Sequence, residues 1–72
     1  MPITPADLNN WFTYHAPSSE QREHYEAIRD AGQTFAEVIL AHTPPSADQT
    51  TAIRKIREAV MTANAAIACG GK

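Results

Sequence analysis

The groups in this chain best suited to chemistry on a ligand are one exposed-type tyrosine and a few guanidiniums. Tyr14 and His15 stand in the proline-broken run Phe12-Thr13-Tyr14-His15-Ala16-Pro17, and Arg22 and Arg29 follow within 15 residues. A tyrosine ring offers a flat amphipathic surface on which a nucleobase can stack, a histidine can donate to a phosphate oxygen, and an arginine can neutralise the phosphate charge. Each has a plainer reading. Tyr14 could pack back onto neighbouring helices, and Arg22 with Glu26 at i+4 and Glu26 with Arg29 at i+3 could form solvated ion pairs. Asn64 is the one polar residue in the run Ala63-Asn64-Ala65-Ala66-Ile67-Ala68. Its amide could hydrogen-bond across an interface or read a base edge. Arg54, Lys55 and Arg57 make a basic cluster, read as a solvated helix face because the chain is acidic overall and lacks helix-turn-helix spacing. His24 and His42 read as helix-surface residues.

Catalytic patterns are missing from the sequence. It has no paired-carboxylate site, no nucleophile with an evident base and no glycine-rich phosphate loop, and the three histidines lack ligand spacing. No catalytic residue, metal ligand or cofactor is therefore assigned, and binding is the better class. A net charge of −2 and a pI near 5.8 give no general attraction to a nucleic acid polymer or an anionic membrane, so phosphate recognition has to be local. No apolar run approaches the roughly 20 residues that span a bilayer, and no signal-peptide pattern opens the chain. Cys69 is the single cysteine, so no intramolecular disulfide can form. The expectation is a soluble protein in a reducing compartment.

Three helix-start signals position these groups. Thr4-Pro5-Ala6-Asp7 places a hydroxyl cap, a proline at the first helical position and an acid at the third. Ser18-Ser19-Glu20-Gln21 repeats the capping-box pattern, and Ser46-Ala47-Asp48-Gln49 is expected to act in the same way. Pro44-Pro45 ends the middle helix and Gly70-Gly71 the last. The reading is an all-α protein with one domain over residues 1–72 and helices over about 4–12, 18–42 and 46–69. Tyr25, Ile28, Gly32, Phe35, Ile39 and His42 recur in steps of three and four, as do Ile53, Ile56, Val60, Ala63 and Ile67. These seams predict a short N-terminal helix followed by a long antiparallel hairpin, with Trp11 and Phe12 covering one end.

A chain of 72 residues seldom buries enough apolar surface to offset its own conformational entropy. With disulfides and metals set aside, oligomerisation is the favoured supplement. Ala52, Ala59, Ala63 and Ala66 would allow close helix approach, while Val38 and Leu40 lie off the seam. A compact helical homo-oligomer is expected, with ligand sites at subunit junctions. Arg29 lies 11 residues past the Ser18 cap, about 16 Å along the helix axis, so a neighbouring subunit could be needed to bring an arginine and a tyrosine together.

The run from Phe12 to Gly32, the turn Thr43-Pro44-Pro45-Ser46-Ala47-Asp48-Gln49 and the ending Glu58-Ala59-Val60-Met61-Thr62-Ala63-Asn64-Ala65-Ala66-Ile67-Ala68 resemble the Acb2 family of phage anti-CBASS proteins, with its Acb2/Tad1-type helical hairpin domain. That resemblance implies a homohexamer in the host bacterial cytoplasm. It also implies a sponge that sequesters cyclic oligonucleotide second messengers without degrading them, so that CBASS effectors are not activated. Cyclic dinucleotides such as 3′,3′-cGAMP are the expected ligands. The family's base-stacking tyrosine would match Tyr14 and its phosphate-contacting basic residue would match Arg29. Where some members use an arginine on the last helix to bind cyclic trinucleotides, this chain has Ala65 at the approximately matching position. Capture of cyclic ADP-ribose signals, a protein-interaction adaptor and a small DNA-binding regulator acting through Arg54, Lys55 and Arg57 are the alternatives.

Overall fold

The structure, a computed structural model, describes residues 2–72 and contains three helices: α1 (Pro5–Phe12), α2 (Ser19–His42) and α3 (Ala47–Ala68). Capping chemistry sets their starts. Thr4 Oγ1 accepts from Asp7 N at 3.2 Å while Asp7 Oδ2 accepts from Thr4 N at 2.9 Å. Ser18 and Gln21 form the same reciprocal pair at 3.1 and 3.0 Å. Each box satisfies two otherwise orphaned backbone groups. The helices begin one residue inside the expected bounds, since Thr4, Ser18 and Ser46 are caps with extended backbone.

The third start differs from expectation. Ser46 Oγ accepts from Gln49 N at 3.2 Å, but the Gln49 amide does not return to Ser46. It crosses the turn and donates to Thr43 O and Thr43 Oγ1, both at 3.1 Å, and to Leu40 O at 3.4 Å. A side-chain amide has two donor hydrogens, and the carbonyls at the end of α2 have lost their helical partners, so the pairing crosses residues 43–46. Gln49 thereby clasps the hairpin turn as well as opening α3.

The contact between α2 and α3 is the only extensive one between elements. Gly32 sits where the two helices come closest: a β-carbon there would fall 2.6 Å from Val60 Cγ2 and 3.8 Å from Ile56 Cγ2. The half-buried residues of α2 are Gln21, Tyr25, Ile28, Gly32, Ala36 and Ile39. Phe35 and His42 are therefore not in the seam, as the three-four spacing suggested, and Phe35 is 57% exposed. The physical reason is angular: at about 100° per residue Phe35 lies about 60° to one side of the Gly32 contact line and Ala36 about 40° to the other, so the large Phe35 side chain projects along a flank while the smaller Ala36 stays closer to the contact. On α3 the half-buried Ile53, Ile56, Val60, Ala63 and Ile67 follow the expected steps.

The segment α1 is fastened to the end of α3 by polar contacts. Asn10 Nδ2 donates to Cys69 O at 3.2 Å and Trp11 Nε1 donates to Lys72 O at 2.9 Å. Gly70 and Gly71, with φ of 66° and 77°, turn the backbone through the left-handed region that places those carbonyls. Trp11 thus contributes to covering this end, whereas Phe12 is 84% exposed and covers nothing.

None of the described residues is fully buried. The chain's accessible surface is 5898 Å² for a mass of 7.9 kDa, against roughly 4,400 Å² for a folded monomer of that mass. Its radius of gyration is 15.3 Å, where a compact domain of this length would have about 11 Å. Two helices side by side have only one line of mutual contact, so each keeps an uncovered flank.

Candidate ligand-binding site

Because successive helix residues are about 100° apart, the neighbours of Gly32 fall on opposite sides of the contact line. Ile28, Ala31 and Phe35 lie on one side, facing Ala52, Ala59 and Ala63 across an apolar groove of about 610 Å³. Arg29, Gln33 and Ala36 lie on the other, facing Ile53, Arg57 and Met61 across a smaller groove of about 270 Å³. Both grooves share Gly32, Ile56 and Val60 as their floor. The hairpin therefore presents one apolar flank and one flank carrying two guanidiniums.

The loop between α1 and α2 carries the other candidates. Tyr14 is 83% exposed and lines neither groove. His15 is half-buried, and its Nε2 lies 2.7 Å from Asn10 O. As the carbonyl can only accept, the imidazole carries its proton on Nε2 and caps the end of α1, beside the Thr13 hydroxyl that donates to Asn9 O. His15 holds the shape of the loop from which Tyr14 projects.

Arg22 is exposed on α2, one heptad from Arg29 and about 10.5 Å nearer the loop. Among the described residues no side-chain hydrogen bond engages Arg22, Arg29 or Arg57, so these guanidiniums keep all their donors for a ligand. Tyr14 and Arg29 are not brought into one pocket within a single chain. Asn64 is half-buried on α3, and its Oδ1 is a buried acceptor with no partner. An unmatched buried carbonyl costs about 1–3 kcal/mol, which a donor from a second chain, a water or a ligand would recover.

The basic triplet of α3 does not make one patch. Lys55 lines the apolar groove, whereas Arg57 lines the groove of Arg29. Gln33, Ala36 and Met61 are the lining residues that spacing along the chain did not single out, and Arg57 was read only as part of a solvated cluster with Arg54 and Lys55. The relation of Arg57 and Met61 to Arg29 follows from the antiparallel register that sets Gly32 against Ile56 and Val60, and that register is legible only after the helices are paired.

A family model described as Acb2/Tad1, hairpin domain, matches residues 4–68, from the cap of α1 to the last residue of α3. The chain belongs to the Acb2/Tad1 hairpin family. Neither curated proteins nor solved structures give a match. Family membership supports an anti-CBASS, sponge-type function and the binding of cyclic oligonucleotides. The three-helix, strand-free arrangement of the described residues agrees with a hairpin domain.

Proposed function

We propose that this protein is a stoichiometric sponge for cyclic oligonucleotide second messengers. It takes cyclic dinucleotides such as 3′,3′-cGAMP by preference and holds them unchanged in the cytoplasm of the bacterial host. CBASS effectors are thereby deprived of their signal. The observation that carries this reading is the family match over residues 4–68.

The chemistry of the exposed groups supports it. A base stacked on an aromatic face gains about 1–3 kcal/mol, and a charge-assisted hydrogen bond to phosphate gains about 1.5–3 kcal/mol. Tyr14 and Arg29 supply one of each, and a molecule with two bases and two phosphates can use each pair twice. One chain offers each only once, with Arg29 about 16 Å down the helix from the cap that follows the Tyr14 loop, so the working site is composite. The surplus of roughly 1,500 Å² over a typical monomer is about twice the roughly 800 Å² that one partner buries in a standard interface, which supports a homo-oligomer with more than one contact per chain; a hexamer is the number the family resemblance implies. In such an assembly the apolar groove of Phe35 and the alanines is covered by a second copy, and the Arg29 groove faces the ligand. Enclosure of the ligand slows its dissociation, which a sponge requires more than a fast on-rate.

Ala65 stands on α3 beside Trp11 and Thr62 where the family resemblance would place an arginine, and Lys72 is the one cation lining that depression, so the proposed preference is for cyclic dinucleotides over cyclic trinucleotides. The DNA-binding alternative loses support from the division of Lys55 and Arg57 between two flanks.

Isothermal titration calorimetry with 3′,3′-cGAMP tests the site. Tyr14→Ala and Arg29→Ala are each expected to weaken binding by roughly ten- to a hundredfold, with the oligomer intact by light scattering. Wild-type affinity in both variants would remove the assignment.

A further inference from the structure

Resting on the sponge reading above, we infer that Arg57 is a second ligand-phosphate residue, acting with Arg29 from the opposite wall of one groove. The two guanidiniums belong to different helices yet line the same depression, whose other lining residues are Gly32, Gln33, Ala36, Ile53, Ile56, Val60 and Met61. No carboxylate is among them. Glu37 is tied to this wall from outside the groove, accepting from Gln33 Nε2 at 3.0 Å. Two like charges facing one low-dielectric concavity repel each other and raise its affinity for an anion.

The register makes the pairing geometric. Gly32 lies against Ile56 and Val60, so Arg57 stands near the level of Gln33, about four residues or roughly 6 Å along the axis from Arg29. The groove floor is apolar and shallow because Gly32 lets the helices approach. At about 270 Å³ the groove lies below the roughly 300–1,000 Å³ of sites that enclose a small ligand. It therefore takes the phosphate edge of a cyclic dinucleotide and leaves the bases to aromatic groups outside it. Arginine suits this task because its planar fork can bind phosphate oxygens in pairs, and Met61 gives the wall an adaptable apolar lip.

The test compares wild type, Arg57→Ala, Arg57→Lys and Arg54→Ala by calorimetry with 3′,3′-cGAMP at low and high salt, with circular dichroism and light scattering on each. Arg54→Ala is the control for loss of one α3 charge outside the groove. The expected result is a loss of about tenfold or more for Arg57→Ala, a partial loss for Arg57→Lys and little change for Arg54→Ala. The Arg57→Ala deficit should be larger at low salt than at high salt, with fold and assembly unchanged. Wild-type affinity in Arg57→Ala overturns the inference alone. Equal losses in Arg54→Ala and Arg57→Ala also overturn it, since they indicate general attraction. Failure of the wild-type protein to bind any cyclic dinucleotide overturns the sponge reading together with it.

Discussion

The two flanks of the hairpin share a floor and differ in almost everything above it. Gly32, Ile56 and Val60 underlie both, but alanines and Phe35 wall one groove and Arg29, Gln33 and Arg57 wall the other. An apolar wall of small residues gains most from another helix lying against it, since close packing multiplies weak dispersion contacts. A wall with two guanidiniums gains most from an anion. The comparison shows how a chain of 72 residues can divide assembly and capture between opposite sides of one contact line.

The strongest way to break this division is to put a charge on the apolar flank. Phe35→Glu is expected to dissociate the proposed oligomer to monomers in analytical ultracentrifugation, because desolvating a carboxylate in an apolar interface is costly and Lys55, at the border of the groove, is the one cation among its lining residues. Helix content should persist, as Phe35 is largely exposed in the single chain. If the variant assembles like wild type, the apolar groove is not the interface.

The shared floor is the next target. Gly32→Ala improves helix propensity by about 1 kcal/mol, but its methyl would meet the stiff, β-branched Val60 at 2.6 Å. Overpacking of this kind costs about 1–3 kcal/mol, so the net effect is a destabilisation of up to about 2 kcal/mol and a drop of several degrees in Tm. Adding Val60→Ala should recover part of the loss in a double-mutant cycle, and additivity of the two changes would show that the close approach is not what limits the site. Smallest of all is Lys55→Ala. Lys55 borders the apolar flank, so its removal should change stability by no more than about 0.5 kcal/mol and leave cyclic dinucleotide affinity unaltered, in contrast to Arg29→Ala. A comparable loss of affinity in both would erase the distinction between flanks.

Local signals in the sequence were the most legible. Thr4, Ser18 and Ser46 mark the helix starts because cap chemistry depends only on neighbours three residues away. The misreadings arose where a second element decides. Phe35 looked like a seam residue, but only pairing with α3 fixes the contact line at Gly32, from which Phe35 lies further round the helix than Ala36. Gln49 looked like a capping-box partner until the carbonyls of α2 came within reach. Arg57 is exposed, as a solvated helix face implies, and what the sequence could not show is the antiparallel register that sets it in the groove of Arg29. Tyr14 and Arg29 were singled out by residue type and family resemblance, and helix rise alone sets Arg29 about 16 Å along the axis from the Ser18 cap. The structure of the single chain does not place them in one pocket.

The central claim is capture without turnover, and one measurement addresses it directly. The protein is incubated with a panel of cyclic di- and trinucleotides and with cyclic ADP-ribose, freed of unbound ligand by gel filtration, then heat-denatured, and the released nucleotides are resolved by liquid chromatography. The account predicts that cyclic dinucleotides are recovered intact and in stoichiometric amount, ahead of the other ligands. Recovery of linear or hydrolysed products, or of no cyclic dinucleotide at all, would contradict it.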